Sequence, residues 1–267
     1  MASSITSYPA TDPVAVAPIA RRAAILAYGV VTYVFFLAVF VYTIGFVGGF
    51  VVPKDIETGV LVPPAWAIAI DVVLLALFAI QHSIMARPAF KRWWTRIIPA
   101  AAERSTFVLA ASALLALIDW QWRPLPGVVW AVSDPVGVAA FHTVYFLGWG
   151  IVLYATFLID HFELFGLRQS VEHALGRKTA PAQFTERSLY RVVRHPLMVG
   201  FLVAFWAAPV MSPGRFLFAS VITAWVLVAI RIEESTLVEM HGELYADYRR
   251  RVPALLPRFV RGHGARP

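Results

Sequence analysis

Cysteine is absent from all 267 residues of the chain. Its absence excludes disulfide bonds, zinc sites built on thiolates and a protein thiol acting as nucleophile. Charged residues make up only 15% of the chain, and 23 lysines and arginines outnumber the 16 acidic residues. Glycine loops that bind nucleotide phosphates, dinucleotide fingerprints and nucleic-acid-binding motifs are also missing. Because cysteine is absent, any thiol chemistry must use the sulfur of a substrate.

Apolar residues fill most of the chain instead. They make up 59% of it, against about 45–50% in soluble domains, and the mean hydropathy is +0.69. Long apolar runs predict transmembrane helices at 23–50, 64–85, 105–119 and 137–159, followed by a shorter pair at 197–211 and 214–230. Pro209 and Pro213 interrupt the last pair, which predicts a tight helical hairpin. The predicted fold class is an all-α integral membrane protein, a bundle of five to six transmembrane helices with a C-terminal helical hairpin.

A chain of this length accommodates one such bundle and no added soluble domain. Residues 1–20 carry no early positive charge before an apolar core. They are therefore predicted to be a disordered N-terminal tail rather than a cleavable signal peptide. Residues 21–267 are predicted to form a single transmembrane domain.

The positive charges are strongly biased to one side of the predicted bundle. Twenty of the 23 lysines and arginines fall before the first span, in the second and fourth loops, or after the last span. Only Lys54, Arg123 and Arg215 fall on the other side. The positive-inside rule therefore predicts that the basic loops and both termini are cytoplasmic. A net charge of +7 concentrated there predicts contact with the anionic head groups of a lipid bilayer, and no nucleic-acid partner.

Two groups of polar residues lie directly against apolar runs on this basic side. Arg194, His195 and Pro196 end the long fourth loop, and Pro196 is placed to open the next helix in its first turn. Glu233 and Glu234 follow the last apolar run by about one turn, too close to the bilayer to lack partners. Taken alone, Arg194, His195 and Pro196 are explained as basic residues flanking a transmembrane helix and a proline that starts this helix. Together, the two groups predict a site for a charged ligand at the cytoplasmic face.

A third group follows the glutamates. If the chain stays helical beyond Glu234, then His241, Tyr245 and Tyr248 share one face of that helix at positions i, i+4 and i+7. The simpler alternative is an amphipathic surface helix whose tyrosines lie at the level of the lipid head groups. The tyrosines are therefore candidates either for ligand contact or for membrane anchoring.

The stretches SLYRVVRHPLMVG and EESTLVEMHGELYADYRRRVPALLP resemble the C-terminal signature of the isoprenylcysteine carboxyl methyltransferase superfamily of membrane methyltransferases. Arg-His-Pro, a Glu-Glu pair, a Gly-x-x-Tyr-x-x-Tyr step and a late Val-Pro recur there in this order. Further stretches, FAIQHSIMARPAFKRWWTRIIPAAAERSTFVL, DWQWRPLP and LIDHFELFGLRQ, resemble the bacterial methanethiol S-methyltransferases. The likeness covers most of the chain. One departure is Leu197-Met198, where many superfamily members have an aromatic residue.

The resemblance implies transfer of a methyl group from S-adenosylmethionine (SAM) to methanethiol, giving dimethyl sulfide, in a bacterial inner membrane. It implies a cytoplasmic cofactor site within 160–260. The residues expected to bind the cofactor are Tyr190, Arg194, His195, Pro196, Glu233, Glu234, Tyr245 and Tyr248. The glutamates can accept hydrogen bonds from the ribose or the ammonium, and the cations can meet the carboxylate or the adenine edge. The tyrosine rings can pack on the adenine or the sulfonium.

Methyl transfer to a thiol needs the thiolate, so a nearby base is useful. His82 is one candidate, with Asp71 eleven residues before it on the same helix face. His161, within Asp160-His161-Phe162-Glu163, is the other. The structural alternatives are an intramembrane aspartate bonded to a neighbouring helix and an interfacial histidine. The histidines are scattered, with no His-x-x-x-His or Glu-x-x-His pair, which predicts no metal site.

Two classes of function stay open from the sequence. One is a methyltransferase, acting on a small thiol such as methanethiol or on a lipid or prenyl-cysteine acceptor. The other is a non-enzymatic membrane protein, either a small transporter or a denitrification-associated protein of the NnrU type. The pairing of Arg-His-Pro with Glu-Glu at one face favours the enzyme, because a transporter needs no such pair. No obligate protein partner is inferred.

Overall fold

The computed structural model describes residues 18–177 and 186–257. The predicted N-terminal tail lies almost entirely outside these ranges. The described helices are α1 (Ile19–Gly48), α2 (Pro64–Met85), α3 (Pro88–Trp94), α4 (Ala100–Gln121), α5 (Pro135–Ile159), α6 (His161–Leu164), α7 (Leu167–Ala174), α8 (Pro196–Trp206), α9 (Pro213–His241) and α10 (Glu243–Arg251). A 3-10 turn (Ser188–Arg191) and two short strands, β1 (Trp130–Ala131) and β2 (Val210–Met211), complete the described elements.

Five helices, α1, α2, α4, α5 and α9, are long and apolar enough to cross a membrane. Each has at least 22 residues, which at about 1.5 Å per residue exceeds a hydrocarbon core of about 30 Å. Helix α8 is apolar but has only 11 residues. The prediction of an all-α integral membrane bundle with five to six transmembrane helices is confirmed.

Helices α4 and α9 extend into charged residues beyond the apolar runs that predicted them. Helix α4 begins at Ala100, five residues before the predicted start, so Arg104 is helical and not part of a loop. Helix α9 continues to His241, well beyond the predicted end at residue 230, so Glu233 and Glu234 lie on the helix itself. Hydropathy underestimates both lengths because charged residues can continue a helix past the hydrocarbon core.

The C-terminal hairpin consists of α8, β2 and α9. Strand β2 pairs antiparallel with β1, with Trp130 opposite Met211. Ser212 caps α9 by accepting a hydrogen bond from the Arg215 backbone N–H, and Pro213 occupies the first turn. Helix α8 packs closely on α5 at Gly148. A Cβ atom at this position would lie only 2.7 Å from the Ala204 backbone nitrogen, so only glycine fits. This close approach holds the second half of α8 against α5.

Helices α9 and α10 are not continuous. Helix α9 ends at Gly242, whose φ of 56° and ψ of −132° are accessible mainly to glycine. Tyr245 and Tyr248 of α10 are buried against Leu237, whereas His241 stays on α9. The prediction that one helix face carries His241 with both tyrosines is therefore wrong, because glycine ends the helix between them.

Within residues 18–177 and 186–257, hydrogen bonds join several of the segments predicted to be cytoplasmic at one end of the bundle. Arg22 at the start of α1 donates a hydrogen bond to the Ala174 carbonyl of α7. The Arg104 Nε of α4 donates to the Leu164 carbonyl of α6 at 2.7 Å. At the other end, the Lys54 Nζ donates to the Asp119 carbonyl at 2.9 Å. The polar groups considered below lie mostly at the first of these ends.

Candidate functional site

A cavity opens among α2, α4 and α9, with the start of α8 forming part of its wall. Its volume is about 130 Å³, within about 880 Å³ of empty space that includes open solvent. The residues on its wall that matter most are His82, Arg104, Phe107, Met198, Trp225 and Glu233. The cavity therefore combines an imidazole, a guanidinium and a carboxylate with apolar and aromatic side chains.

His82 is held in the cavity by aromatic rings. Its ring centroid lies 4.9 Å from that of Phe107, 5.5 Å from Phe78 and 5.4 Å from Trp225. Its Nδ1 is buried and has no hydrogen-bond partner among the described residues. Packing thus orients the imidazole while one ring nitrogen keeps its capacity for a ligand.

Glu234 connects α9 to the Arg-His-Pro segment and to the chain after α10. Its Oε1 accepts hydrogen bonds from Arg194 Nε at 2.8 Å and His195 Nε2 at 3.0 Å, and it lies 2.7 Å from Arg194 Nη2. The Arg194 Nη1 donates to the carbonyls of Arg249, at 3.0 Å, and Val252. All three Arg194 nitrogens are therefore bonded within the protein, and Glu234 acts as a structural junction.

Glu233 faces the cavity and is not one of the described contacts of Arg194. It lines the cavity, and its Oε2 lies 3.9 Å from Nδ1 of His195. His195, which is 2% exposed, thus lies between the two glutamates and joins the junction to the cavity. Pro196 is buried beside it at the first position of α8. Of the two glutamates, Glu233 is the one placed to meet a ligand.

The three tyrosines predicted to contact the cofactor are buried around this junction. Burial, and then the negative charge of Glu233, raises the pKa of Tyr190, and its hydroxyl has no hydrogen-bond partner among residues 18–177 and 186–257. Burial likewise raises the pKa of Tyr245 and Tyr248. The Tyr248 hydroxyl donates to the Tyr190 carbonyl at 2.6 Å. All three phenols stay protonated at neutral pH, so they can donate hydrogen bonds.

The second base candidate, His161, lies outside the cavity wall. Its Nε2 is hydrogen-bonded to the Tyr33 hydroxyl and its Nδ1 to the Thr156 hydroxyl, each at 2.8 Å. The ring stacks on Phe157 with centroids 4.5 Å apart. Burial lowers the pKa of His161, opposed by the neighbouring Asp160 carboxylate. Both ring nitrogens are thus engaged in joining α1, α5 and α6.

Asp71 lies about 16 Å from His82 along α2, so the two side chains do not contact each other. Its Oδ1 accepts a hydrogen bond from the Arg123 backbone N–H at 2.9 Å. This bond holds the chain after α4 against α2 at the end remote from the cavity. Within the described ranges, no cluster of three or more potential metal ligands occurs.

Arg104 is the cavity residue that sequence reasoning missed. Its guanidinium carbon lies 4.7 Å from the Phe107 ring centroid, and its Nε bonds to the Leu164 carbonyl. The sequence placed it among the basic residues of a loop, since the apolar run begins only after it. A helical projection started at Ala100 would have put Arg104 and Phe107 one turn apart on one face.

The fold defines an integral membrane helical bundle with a cavity at one end. The chain is 50% identical over 230 residues to methanethiol S-methyltransferase 1 of Bradyrhizobium diazoefficiens, covering 86% of this chain and 81% of that protein. It is 48% identical over 237 residues to the methanethiol S-methyltransferase of Mycobacterium tuberculosis, covering 89% and 97%. The chain belongs to the methanethiol S-methyltransferase family and is a thiol S-methyltransferase.

More distant similarity extends to nurim of Sus scrofa, which is 30% identical over 199 residues, or 70% of this chain and 73% of nurim. No family model matches the chain. No solved structure matches it either. The curated methyltransferases, which align over most of their own length, therefore carry the assignment.

Proposed function

We propose that the protein transfers a methyl group from SAM to methanethiol and releases dimethyl sulfide and S-adenosylhomocysteine. The observation that carries the proposal is the identity of 48–50% to methanethiol S-methyltransferases over 86–89% of the chain. The cavity supports it, because mostly apolar walls with a few polar groups suit a small thiol.

The residues present fit SAM as methyl donor. When bound, SAM supplies a methyl group on a positively charged sulfur. Its ribose hydroxyls and ammonium need acceptors, which the Glu233 carboxylate supplies at the cavity wall. The Tyr190 hydroxyl, buried without a partner in the described part of the chain, is an available donor next to Glu233. Tyr245 and Tyr248 do not line the cavity; they are buried together with Leu237 and Val252, next to the Arg194–Glu234 junction.

We assign acceptance of the thiol proton to His82, ahead of His161 and Asp71. His82 lines the cavity and has an unengaged Nδ1, whereas both nitrogens of His161 are bonded and Asp71 lies far along α2. His82 would take and keep the thiol proton, and bound SAM would supply the methyl group that the resulting thiolate accepts. Phe107, Met198 and Trp225 exclude water, which leaves the thiolate less solvated and more reactive.

The proposed orientation places the cavity in the cytoplasm, where SAM is made, with both termini on that side of a bacterial inner membrane. The support is the sequence bias of 20 of the 23 lysines and arginines to the loops and termini that are predicted to lie on one side of the membrane. We propose a single methyltransferase domain over 21–267. Its cofactor-binding part, 160–260, is completed by cavity walls from α2 and α4.

The proposal is tested by following the methyl group. Protein purified into lipid vesicles is supplied with SAM bearing a deuterated methyl group and with methanethiol, and the headspace is analysed by mass spectrometry. Deuterated dimethyl sulfide should form in equal amount to S-adenosylhomocysteine. Parallel reactions contain a farnesylated cysteine or no added acceptor. If the label were found on the prenyl-cysteine carboxylate or on membrane lipid and not in dimethyl sulfide, methanethiol would not be the acceptor. The labelled molecule would take its place.

A further inference from the structure

Arg104 is a partly buried arginine of the cavity wall that lacks a carboxylate partner, unlike Arg168, Arg194 and Arg215. Arg168, Arg194 and Arg215 pair with glutamates at 2.9, 2.7 and 2.6 Å. Arg104 forms no ion pair with any carboxylate of residues 18–177 and 186–257, and Glu103 and Glu163 act on it only at longer range. A guanidinium withdrawn from water without a counter-ion is unfavourable, so its position predicts an anion supplied by a ligand.

The contacts of Arg104 also determine which of its guanidinium nitrogens can donate to a ligand. The Nε donates to the Leu164 carbonyl at 2.7 Å, and the guanidinium lies over the Phe107 ring. Neither Nη1 nor Nη2 forms a hydrogen bond to a residue in the described ranges. A planar guanidinium held by one edge and one face presents its remaining nitrogens as a preorganised donor pair, the geometry that suits a carboxylate.

The other cation expected to meet the cofactor carboxylate has no such capacity. Every Arg194 nitrogen has a protein acceptor, on Glu234 or on the carbonyls of Arg249 and Val252. Redirecting Arg194 to a ligand would break this junction and leave Glu234 buried with only His195. Arg104 can bind a ligand without breaking an ion pair.

We infer that Arg104 receives the α-carboxylate of SAM, while Glu233 on the facing wall of the same cavity takes its ammonium. This inference rests on the proposed function, since it assumes SAM as the methyl donor. It places the amino-acid end of the cofactor between α4 and α9, beneath the aromatic residues that hold His82. Arg194 is then a positioning residue that holds Glu234 and the C-terminal chain.

Arg87 provides a matched control. It also lines the cavity, on the connection between α2 and α3, but its side chain forms no ion pair within the described ranges. No hydrogen bond or ring contact to a described residue fixes its orientation. Arg87→Met therefore removes one cavity cation and the same net charge as Arg104→Met, without removing the arginine that the protein holds in place.

The experiment compares two ligands on three proteins by calorimetry. One ligand is S-adenosylhomocysteine, and the other is 5′-deoxy-5′-(3-aminopropylthio)adenosine, the same molecule without its carboxylate. Arg104→Met should weaken S-adenosylhomocysteine binding by about ten- to a hundredfold and leave the decarboxylated ligand within about twofold. Wild type and Arg87→Met should both prefer the ligand that carries the carboxylate.

Each other outcome is decisive. Equal effects of Arg104→Met on both ligands, or a carboxylate-specific loss in Arg87→Met instead, would overturn the inference and leave the proposed function standing. Failure of wild type to bind either ligand would instead refute SAM as donor. If Arg104→Met binds neither ligand, Arg104→Lys decides, because the retained charge should preserve a reduced preference for the carboxylate. Loss of that preference in the folded lysine variant overturns the inference, and its retention supports it.

Discussion

His82→Ala should lower the turnover number with methanethiol by about 10²–10⁴, the usual contribution of a positioned general base. Affinity for S-adenosylhomocysteine should change little, because proton removal matters only on the way to the transition state. The reason is structural: His82 alone among the candidate bases lines the cavity and has a buried ring nitrogen without a described partner. Steady-state rates at saturating SAM, with calorimetry on the same preparations, measure both quantities.

His161→Ala is the matched control for this prediction, because His161 is also a buried histidine at the same end of the bundle. Its two hydrogen bonds join separate helices, so the variant should melt at a lower temperature. At a temperature where it is folded, its turnover number should stay close to that of wild type. A large loss of turnover in His161→Ala together with normal turnover in His82→Ala would reverse the assignment.

Glu234→Ala should reduce the free energy of unfolding by about 3–5 kcal/mol, the usual effect of removing one partner of a buried ion pair. The substitution leaves Arg194, which is 10% exposed at its side chain, and His195 without their shared carboxylate. It also releases the chain that Arg194 binds at Val252. Unfolding in mixed detergent micelles, followed by helical circular dichroism, measures the change.

The neighbouring substitution Glu233→Ala controls for loss of a negative charge at the same depth. Because Glu233 lies 3.9 Å from His195 and not within the Arg194 contacts, its removal should change stability by far less. Equal destabilisation by the two substitutions would show that Glu234 has no special structural role. The Arg194 contacts would then contribute little to the junction.

Most of the fold could be predicted from the sequence because membrane helices are encoded locally. A run of about 20 apolar residues is sufficient to predict a span, and the five long helices match such runs. The breaks were predictable where proline supplied them, as at Pro213. The extension of α4 back to Ala100 was not, because Glu103 and Arg104 interrupt the apolar pattern although they continue the helix.

The sequence predicted which residues lie together at the site, but not the role of each residue. Arg194, His195, Glu233 and Glu234 lie together in the structure, as their shared side of the membrane predicted. Which glutamate faces the cavity depends on a rotation of about 100° between consecutive helical residues, which the sequence alone cannot orient. The engagement of His161 depends on Tyr33, 128 residues earlier in the chain, and such long-range contacts have no local signal.

The central claim is that the cavity beside Glu233 binds SAM, and its most direct test is the affinity of Glu233→Gln for S-adenosylhomocysteine by calorimetry. Glutamine keeps the size of the side chain and removes the charge. The account predicts that wild type binds and that the variant binds about ten- to a hundredfold more weakly, because one charge-assisted hydrogen bond is lost. Equal affinity of the two proteins for S-adenosylhomocysteine would contradict the claim.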